Sequence, residues 1–516
     1  MSVATISSTH IVGLIASTVT VEVDVSSGGL YAFSLVGLPD KSIDESKDRV
    51  IAALKNTHLK NPKSENHKVT VSLAPADVKK EGSHFDLPIA IGYLLASKQI
   101  TRDLKDKMFV GELSLTGDIQ PLQGVLSIAE CAKNSGIKEL FVPEKNKEEA
   151  ALVSDITVYG CKNLHDIVKH FGGLMEENNI DVFNLTKTPT TKITYSRPDF
   201  FLDFKDVRGQ ETAKRALEIA AAGGHNIAMF GPPGTGKTML ARAFAGTLPP
   251  LSKEDVFEVT RIHSIANKVN NLITHPPFRS PHHTSSYVSL VGGGANPRPG
   301  EVTLAHLGVL FLDEFPEFEK RAIESLRQPL EEGVISVSRA KGTFLFPASC
   351  IVVSAMNPCP CGYLGSKVKR CVCNQADIAR YTKKLSGPIM DRIDLWVPVQ
   401  HIDYDTLAHK SSSEGSDEVR ERVVKARDFA LKNFKANGDD ITMNKYMSSK
   451  DMTKINLTES AQTLMKKLAQ SYTLSPRAYH RVLRVAKTVA DLDQKETIND
   501  SHILEAFQYR PKGLGE

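Results

Sequence analysis

Several features that mark common protein classes are missing from this sequence. No run of about 18 apolar residues occurs, so we expect no transmembrane helix and no membrane partner. The first residues carry no basic segment ahead of an apolar stretch, so we expect no secretory signal. An excess of one charge is also missing, because 64 Lys and Arg face 60 Asp and Glu among 516 residues. The net charge therefore neither requires nor excludes nucleic acid, and any basic surface has to be local.

Cysteine is scarce, with 7 residues in the whole chain, and four of them lie within residues 359–373. This distribution fits a metal site in a reducing compartment better than a disulfide framework. We therefore expect a cytoplasmic protein.

The pattern along the chain predicts an α/β multidomain protein, since 516 residues exceed one compact core. Residues 1–172 alternate strands and helices and predict an N-terminal domain, and the polar residues 173–200 predict a linker. Residues 201–400 alternate strand and helix around a glycine-rich turn, which is typical of a parallel α/β core. Residues 401–516 have apolar positions at helical spacing and predict a small helical bundle.

A phosphate-binding loop is the strongest motif. A short apolar strand at 226–230 is followed at once by G-x-x-x-x-G-K-T and then by a predicted helix. Glycines let backbone N–H groups face a phosphate, and the helix start adds positive potential. Lys237 would reach the β and γ phosphates of ATP, and the Thr238 hydroxyl would bind Mg²⁺. The predicted nucleotide-binding residues are Gly231, Pro232, Pro233, Gly234, Thr235, Gly236, Lys237 and Thr238.

A second motif places Asp313 and Glu314 at the end of an apolar strand at 308–312. Alone it is weak, since solvated acids often end strands. Downstream of a phosphate-binding loop in the same α/β segment, it indicates ATP hydrolysis. Asp313 would hold the Mg²⁺ shell, and Glu314 would polarise the attacking water.

These two motifs together are similar to AAA+ ATPases, specifically the magnesium-chelatase-like branch with its P-loop α/β core and helical lid. Three further residues carry the resemblance: Asn357 after an apolar strand, Arg392 before the predicted bundle, and Arg477 at the start of a late helix. The resemblance implies that Asn357 is sensor 1, Arg392 an arginine finger acting on a neighbouring subunit, and Arg477 sensor 2. Arg380 is a rival for the finger. A finger acting in trans implies a ring, and the resemblance implies a homo-hexamer.

The N-terminal segment resembles the proteolytic domain of Lon. Three stretches carry this resemblance: residues 81–88, 110–117 and 136–144. The aligned positions lack the Lon chemistry, with His84 at the nucleophile position and Leu126 at the lysine position. Ser83 lies one residue away, but a serine without a base to take its proton is a poor nucleophile. The resemblance therefore implies a Lon-protease-like α+β domain that is non-proteolytic.

Along essentially its whole length the chain resembles the ComM/YifB family. Besides the domain order, three segments are familiar from this branch: residues 278–284, 291–294 and 297–301. The resemblance implies an ATP-dependent DNA motor, a hexameric helicase that promotes branch migration during natural transformation and recombination. This function comes from the resemblance and not from the spacing of residues.

Two segments are candidates for contact with DNA. Residues 335–346 alternate around a short turn and predict a hairpin, similar to the pre-sensor hairpin of ring helicases. Its basic residues would line a central pore with positive charge, although a solvated hairpin tip has the same pattern. A Pro-rich segment at 278–284 would form a second pore loop or would hydrogen-bond locally. The candidate residues are Arg339, Lys341, Arg279, His282 and His283.

Two C-x-C pairs predict a structural zinc site. The four residues are Cys359, Cys361, Cys371 and Cys373. Four thiolates on two short turns can bind Zn²⁺ tetrahedrally and leave no open position for catalysis. Because C-x-C is a less usual spacing than C-x-x-C, buried or free thiols remain the alternative.

Three other functions stay open at this stage. A magnesium-chelatase-type ATPase subunit would need an integrin-like partner, and nothing in this chain resembles one. A protein-remodelling AAA+ ATPase would bind polypeptide through the N-terminal domain. A non-motor switch would use ATP only for assembly, and it has little need for Glu314, Asn357 and Arg392 together.

Overall fold

The computed structural model describes residues 2–28, 30–75, 80, 82–172, 184–195, 202–266, 272–294, 297–339, 342–366, 368–402 and 414–511. The chain divides into two compact units. The first comprises Met1–Thr194 and Phe257–Leu272, and the second comprises Tyr195–Val256 and Ile273–Glu516.

The first unit is built on a mixed sheet. Its strands are β1 Ser2–Val12, β2 Ile15–Ser26, β3 Ala32–Val36, β4 Lys68–Ala74, β5 Lys107–Phe109, β6 Glu112–Leu113, β7 Ile119–Gln120, β8 Glu139–Pro143, β9 Thr157–Cys161 and β10 Lys187–Thr188. The strand order in the main sheet is β10-β9-β8-β5-β1-β2-β4-β3, while β6 and β7 pair separately. In β2, Val19, Val21 and Val23 are buried and alternate with more exposed residues, as a one-sided strand requires.

Helices cover this sheet and complete its core. They are α1 Lys41–Asp44, α2 Ser46–Asn56, α3 Asp86–Ala96, α4 Val125–Asn134, α5 Lys147–Ala150 and α6 Leu164–His170. The apolar stretch 89–95 lies within α3, which is almost wholly buried. A helix that is apolar on all sides needs such an interior position.

Two segments outside residues 1–172 also belong to the first unit. Strand β10 lies in the predicted linker and pairs antiparallel with β9, and the linker residues 173–183 and 196–200 lie outside the described residues. Residues 257–272 join the unit from later in the chain. There, the Ser264 hydroxyl accepts from the Gly124 N–H at 2.9 Å, and Phe257 packs against the buried cluster of α4 and β8.

A parallel sheet forms the centre of the second unit. Its strands and the shorter ladders beside it are β11 Ile227–Phe230, β12 Phe278–Arg279, β13 Gly292–Gly293, β14 Arg298–Pro299, β15 Val309–Leu312, β16 Val334–Arg339, β17 Gly342–Pro347, β18 Ile351–Met356 and β19 Leu395–Pro398. The order β12-β15-β18-β11-β19 is parallel at every pairing. The prediction of an α/β protein with a parallel-sheet core is confirmed. The carboxyl ends of β11, β15 and β18 therefore meet at one edge.

The helices of the second unit surround the sheet and then form the C-terminal part of the chain. They are α7 Glu211–Gly223, α8 Lys237–Ala245, α9 Lys253–Ala266 (which ends in the segment assigned to the first unit), α10 Tyr287–Val291, α11 Glu301–Leu304, α12 Lys320–Ser325, α13 Arg327–Glu332, α14 Gln375–Thr382, α15 Gly387–Met390, α16 Ser416–Ala436, α17 Ser449–Met452, α18 Glu459–Ser471, α19 Pro476–Leu492 and α20 Asp500–Gln508. Helix α16 buries the stripe from Val419 to Phe434 that its periodicity predicts. Within the described residues, none of these helices or those of the first unit is long and apolar enough to cross a bilayer.

Candidate active site

The loop between β11 and α8 has the backbone geometry of a phosphate cradle. Gly234 and Gly236 have φ angles of +77° and +88°, which residues with a Cβ rarely adopt. A Cβ on Gly231 would lie 1.9 Å from the carbonyl oxygen of Val399, so this position accepts only glycine. Because α8 begins at Lys237, the first N–H groups of the helix point to the loop and carry its positive end.

Lys237 is buried against this loop. Its Nζ donates to the carbonyl oxygens of Gly231 at 2.9 Å and Pro232 at 2.8 Å. The same Nζ lies 3.4 Å from Oδ1 of Asn357, which follows β18. Burial lowers the pKa of Lys237, and the nearby charge of Asp313 opposes that shift. The structure thus brings the predicted phosphate lysine and sensor residue together.

Oxygen ligands of the kind that Mg²⁺ prefers lie beside the lysine. The Thr238 hydroxyl donates to Oδ2 of Asp313 at 2.9 Å. The other carboxylate oxygen of Asp313 accepts from the backbone N–H of Glu314 at 2.9 Å. A hydroxyl and a carboxylate in mutual contact, within reach of a phosphate cradle, fit a Mg²⁺–nucleotide complex.

Glu314 has an unexpected partner. Its Oε2 lies 3.0 Å from Nδ1 of His283, and the two side chains are 56% and 30% exposed. The imidazole rings of His282 and His283 are 4.2 Å apart. The sequence singles out His283 as a DNA-binding candidate, whereas the structure places it against the predicted water-activating carboxylate. Only the folded sheet, which sets β12 beside β15, brings the two residues together.

Arg392, predicted as the arginine finger, and Arg477, predicted as sensor 2, line one basic cleft. The residues that give this cleft its charge are Arg392, Arg477, Arg481, Arg484 and Lys445. Arg392 pairs with Glu331, and that contact lowers the pKa of Glu331, with a smaller contribution from Arg477. Among the described residues lining this cleft, none belongs to the phosphate-binding loop. Arg392 and Arg477 therefore line a cleft separate from the loop around Lys237.

The Arg392 segment is held by a contact that sequence reasoning missed. Arg481 donates to the carbonyl oxygens of Met390 at 3.2 Å and Ile393 at 2.8 Å. The rival residue, Arg380, is 80% exposed and lies 3.8 Å from Asp377 on the same helix. The structure gives Arg392 the more fixed environment.

The residues predicted to contact DNA lie in two places, the hairpin and the segment that begins with β12. The predicted hairpin exists as β16 and β17, which pair from Val334 with Pro347 to Arg339 with Gly342. Lys341 lies outside the described residues, and only the backbone of Arg339 is described. Arg279 makes a bidentate contact with Glu301 at 2.7 and 2.8 Å, so an acid neutralises its charge.

The cysteine pairs converge next to the nucleotide site. Their four sulfur atoms all lie within 4.8 Å of one another, although the two pairs are separated by a loop in the sequence. The convergence is what the predicted zinc site requires.

In the first unit, His84 and Leu126 stand at the positions of the Lon nucleophile and lysine, and both make structural contacts. Nε2 of His84 donates to the Thr9 carbonyl at 2.8 Å, and burial lowers the pKa of His84 to about 4. Leu126 is fully buried. Ser83, which the sequence leaves without a base, donates its hydroxyl to the carboxylate of Glu112, a partner that the sequence did not predict.

Models of one protein family and full-length relatives match this chain. Three models of the magnesium chelatase subunit ChlI match the chain: "Subunit ChlI of Mg-chelatase" at residues 21–146, "Magnesium chelatase, subunit ChlI" at 203–407, and "Magnesium chelatase, subunit ChlI C-terminal" at 413–510. Competence protein ComM of Haemophilus influenzae is 41% identical over 517 residues, covering 99% of this chain and 98% of that protein. The chain belongs to the ComM/YifB family. Protein YifB of Escherichia coli is 39% identical over 515 residues, covering 99% of this chain and 97% of that protein.

A part of the chain is also similar to Lon. Lon protease 2 of Bacillus subtilis is 31% identical over 147 residues, covering 27% of this chain and 26% of that protein. Membership of the ComM/YifB family, with its magnesium-chelatase-like AAA+ region, identifies the chain as an ATPase of that kind, and the family implies ATP and Mg²⁺. The geometry around Lys237, Thr238 and Asp313 fits both.

Proposed function

We propose that this chain is the subunit of a homo-hexameric ATPase that remodels DNA, a branch-migration helicase that acts in recombination and natural transformation. The observation that carries the proposal is whole-length similarity to a competence protein in a chain whose phosphate loop, acids and sensor residue converge. A competence function concerns DNA taken up by a cell. An ATPase acting there needs a way to move or separate strands.

Each member of the site has a chemical task in this proposal. Lys237 and the loop N–H groups would bind the β and γ phosphates, while Thr238 and Asp313 would hold Mg²⁺. The bound metal would offset negative charge on the phosphates. Glu314 would orient and polarise water as a general base, and Asn357 would fix the position of that water. The contacts of Lys237 with Asn357 and of Thr238 with Asp313 support these tasks.

The separate basic cleft supports a ring. Arg392 and Arg477 line the same cleft; Arg392 is ion-paired with Glu331, and the charge of Arg477 acts on the same carboxylate. In a ring, both would face the nucleotide of the neighbouring subunit, where a guanidinium stabilises the charge that develops on the transferred phosphoryl group. The hairpin of β16 and β17, repeated around the ring, would present Arg339 and Lys341 to DNA.

Two structural assignments complete the proposal. The four cysteines hold zinc, since their sulfur atoms converge and no catalytic position is left open. The Lon-like unit is a non-proteolytic scaffold, because Leu126 cannot act as a base and the His84 ring donates to a backbone carbonyl.

The proposal is tested by steady-state ATP hydrolysis with single-stranded, duplex and branched DNA at low and high salt. We expect branched DNA to stimulate hydrolysis strongly, and added salt to remove the stimulation because phosphate contacts release counterions. Strand displacement from a labelled four-way junction should require hydrolysable ATP. Clear basal hydrolysis that no DNA alters would contradict the DNA function while leaving the ATPase intact.

A second candidate is an ATPase subunit of the magnesium-chelatase type, favoured by the three family models that match most of the chain. It predicts a requirement for a partner protein and a porphyrin. Metal insertion assayed with a cell extract that supplies the partner separates it from the DNA function.

A further inference from the structure

The four-cysteine cluster has the dimensions of a single metal site. The sulfur of Cys359 lies 3.4 Å from that of Cys361 and 3.7 Å from that of Cys371, and the sulfurs of Cys361 and Cys371 are 3.5 Å apart. A tetrahedron with Zn–S bonds of about 2.3 Å has sulfur atoms about 3.8 Å apart. A disulfide would need about 2.0 Å. The Cys361 N–H also points to the sulfur of Cys373 at 3.4 Å, so a backbone donor supports a thiolate.

The cysteines close a loop that begins at the sensor residue. We call residues 357–374 the cysteine loop, of which 367 lies outside the described residues. It begins with Asn357 directly after β18 and ends with Asn374, whose side chain caps α14. A metal bound by both ends of the loop would therefore fix the distance between β18 and α14.

The cysteine loop touches the phosphate-binding loop through a glycine. Gly362 has a φ angle of +83°, and a Cβ there would lie 2.8 Å from Cδ of Pro233 and 3.7 Å from Cγ of Asn357. Asn357 in turn lies 3.4 Å from Nζ of Lys237. The cysteine cluster is therefore linked to the phosphate loop through the contact of Gly362 with Pro233. Its first member, Cys359, follows Asn357 by two residues.

The Asn357 backbone is held from the other end of the same loop. The buried Tyr381 of α14 lies near enough for the Asn357 backbone to oppose the rise that burial causes in the pKa of the Tyr381 hydroxyl. The two elements that the cysteines join therefore both position the sensor residue. Losing the metal would release the loop and, with it, the contacts that shape the cradle.

We infer that zinc bound by the four cysteines controls nucleotide binding, by pressing Gly362 against Pro233 and holding Asn357 beside Lys237. This inference rests on the proposed ATPase site and zinc assignment, and it adds that the two are coupled. The ATPase would then respond to the supply of a thiophilic metal ion.

The first test measures metal and nucleotide on the same full-length protein. Elemental analysis should find about one zinc per chain. Zinc is then removed with a zinc-selective chelator while Mg²⁺ is kept in excess, and the Kd for a fluorescent ADP analogue is measured. We expect the Kd to rise at least about tenfold, the effect of losing one charge-assisted hydrogen bond, and to recover when zinc is returned.

A pair of glycine variants tests the contact without removing the metal. Gly362 and Gly365 lie in the same loop with φ angles of +83° and +75°, but a Cβ at Gly365 would meet nothing within 4 Å. Both substitutions by alanine carry a similar backbone penalty. Gly362→Ala should keep its zinc and weaken nucleotide binding about tenfold, whereas Gly365→Ala should keep both zinc and affinity.

The outcomes separate the linked ideas. Protein without zinc that binds nucleotide normally would overturn both the metal site and the coupling. Zinc-loaded protein whose Kd does not change on metal removal, and in which the two glycine variants behave alike, would overturn the coupling and leave the ATPase standing. Zinc-loaded protein that binds no nucleotide would overturn the ATPase site as well. If metal removal unfolds the protein, as far-ultraviolet circular dichroism would show, the glycine pair decides.

Discussion

Replacing Glu314 with glutamine should separate nucleotide binding from hydrolysis. The amide keeps the size of the side chain and removes its ability to take a proton. The backbone N–H of Glu314 that holds Asp313 is unchanged, so the contact between Asp313 and Thr238 should persist. We therefore expect the Kd for the Mg²⁺ complex of ATP to stay within about twofold. The kcat should fall about 10²- to 10⁴-fold, the usual contribution of a positioned general base.

The cost to stability should be small enough not to confuse the result. The substitution alters the contact between Glu314 and His283, whose side chains are 56% and 30% exposed, and even a full ion pair at such exposed positions contributes at most about 1 kcal/mol. Single-turnover hydrolysis and a binding titration on the same preparation give both quantities. Glu317→Gln is the matched control, since Glu317 lies in the next turn and pairs with Lys384 at 2.7 Å. If Glu314→Gln hydrolysed ATP at the wild-type rate, its role as the base would be refuted.

Three other substitutions test separate parts of the structure. His283→Ala should free Glu314 and raise DNA-independent kcat by up to about fivefold, the equivalent of an exposed ion pair, and a lower kcat would show that His283 assists hydrolysis instead. Arg392→Ala should lower kcat about 10³-fold or more without changing the Kd for ATP; mixing it with Lys237→Ala subunits should restore activity if the arginine acts in trans, and a mixture as inactive as its parts would argue against that. Burial lowers the folded-state pKa of His84 to about 4. Between about pH 6.5 and pH 4 the unfolded chain therefore binds more protons than the folded chain. The first unit should lose stability as the pH falls through that window. His84→Gln keeps a donor for the Thr9 carbonyl and should flatten this loss, as measured by hydrogen exchange of β1 at pH 7 and pH 5; an equal loss in the variant would mean that other groups dominate.

Local patterns made the nucleotide site predictable. The loop from Gly231 to Thr238 is contiguous, and its glycine positions follow from backbone geometry alone. The burial of β15 before Asp313 can be read from a run of apolar residues. The late helices follow from apolar residues spaced three and four apart, as in α19, which runs from Pro476 to Leu492.

Contacts between distant segments were not predictable in the same way. His283 meets Glu314 because β12 and β15 are neighbours in the sheet, an arrangement that no spacing in the sequence encodes. The contact of Gly362 with Pro233 likewise depends on two loops that follow the adjacent strands β11 and β18. Strand β10 was hidden in a polar segment because a strand of two residues is too short to show periodicity.

The return of residues 257–272 to the first unit bears on how such a protein can be cut or recombined. The chain passes between its two units at three places, so no single cleavage in the sequence separates them. A gene fragment beginning after residue 200 would encode the ATPase motifs together with Phe257 and Ser264 but without the cluster and the Gly124 N–H that they contact. An exchange of the first unit between relatives would therefore have to include residues 257–272 as well as the N-terminal segment.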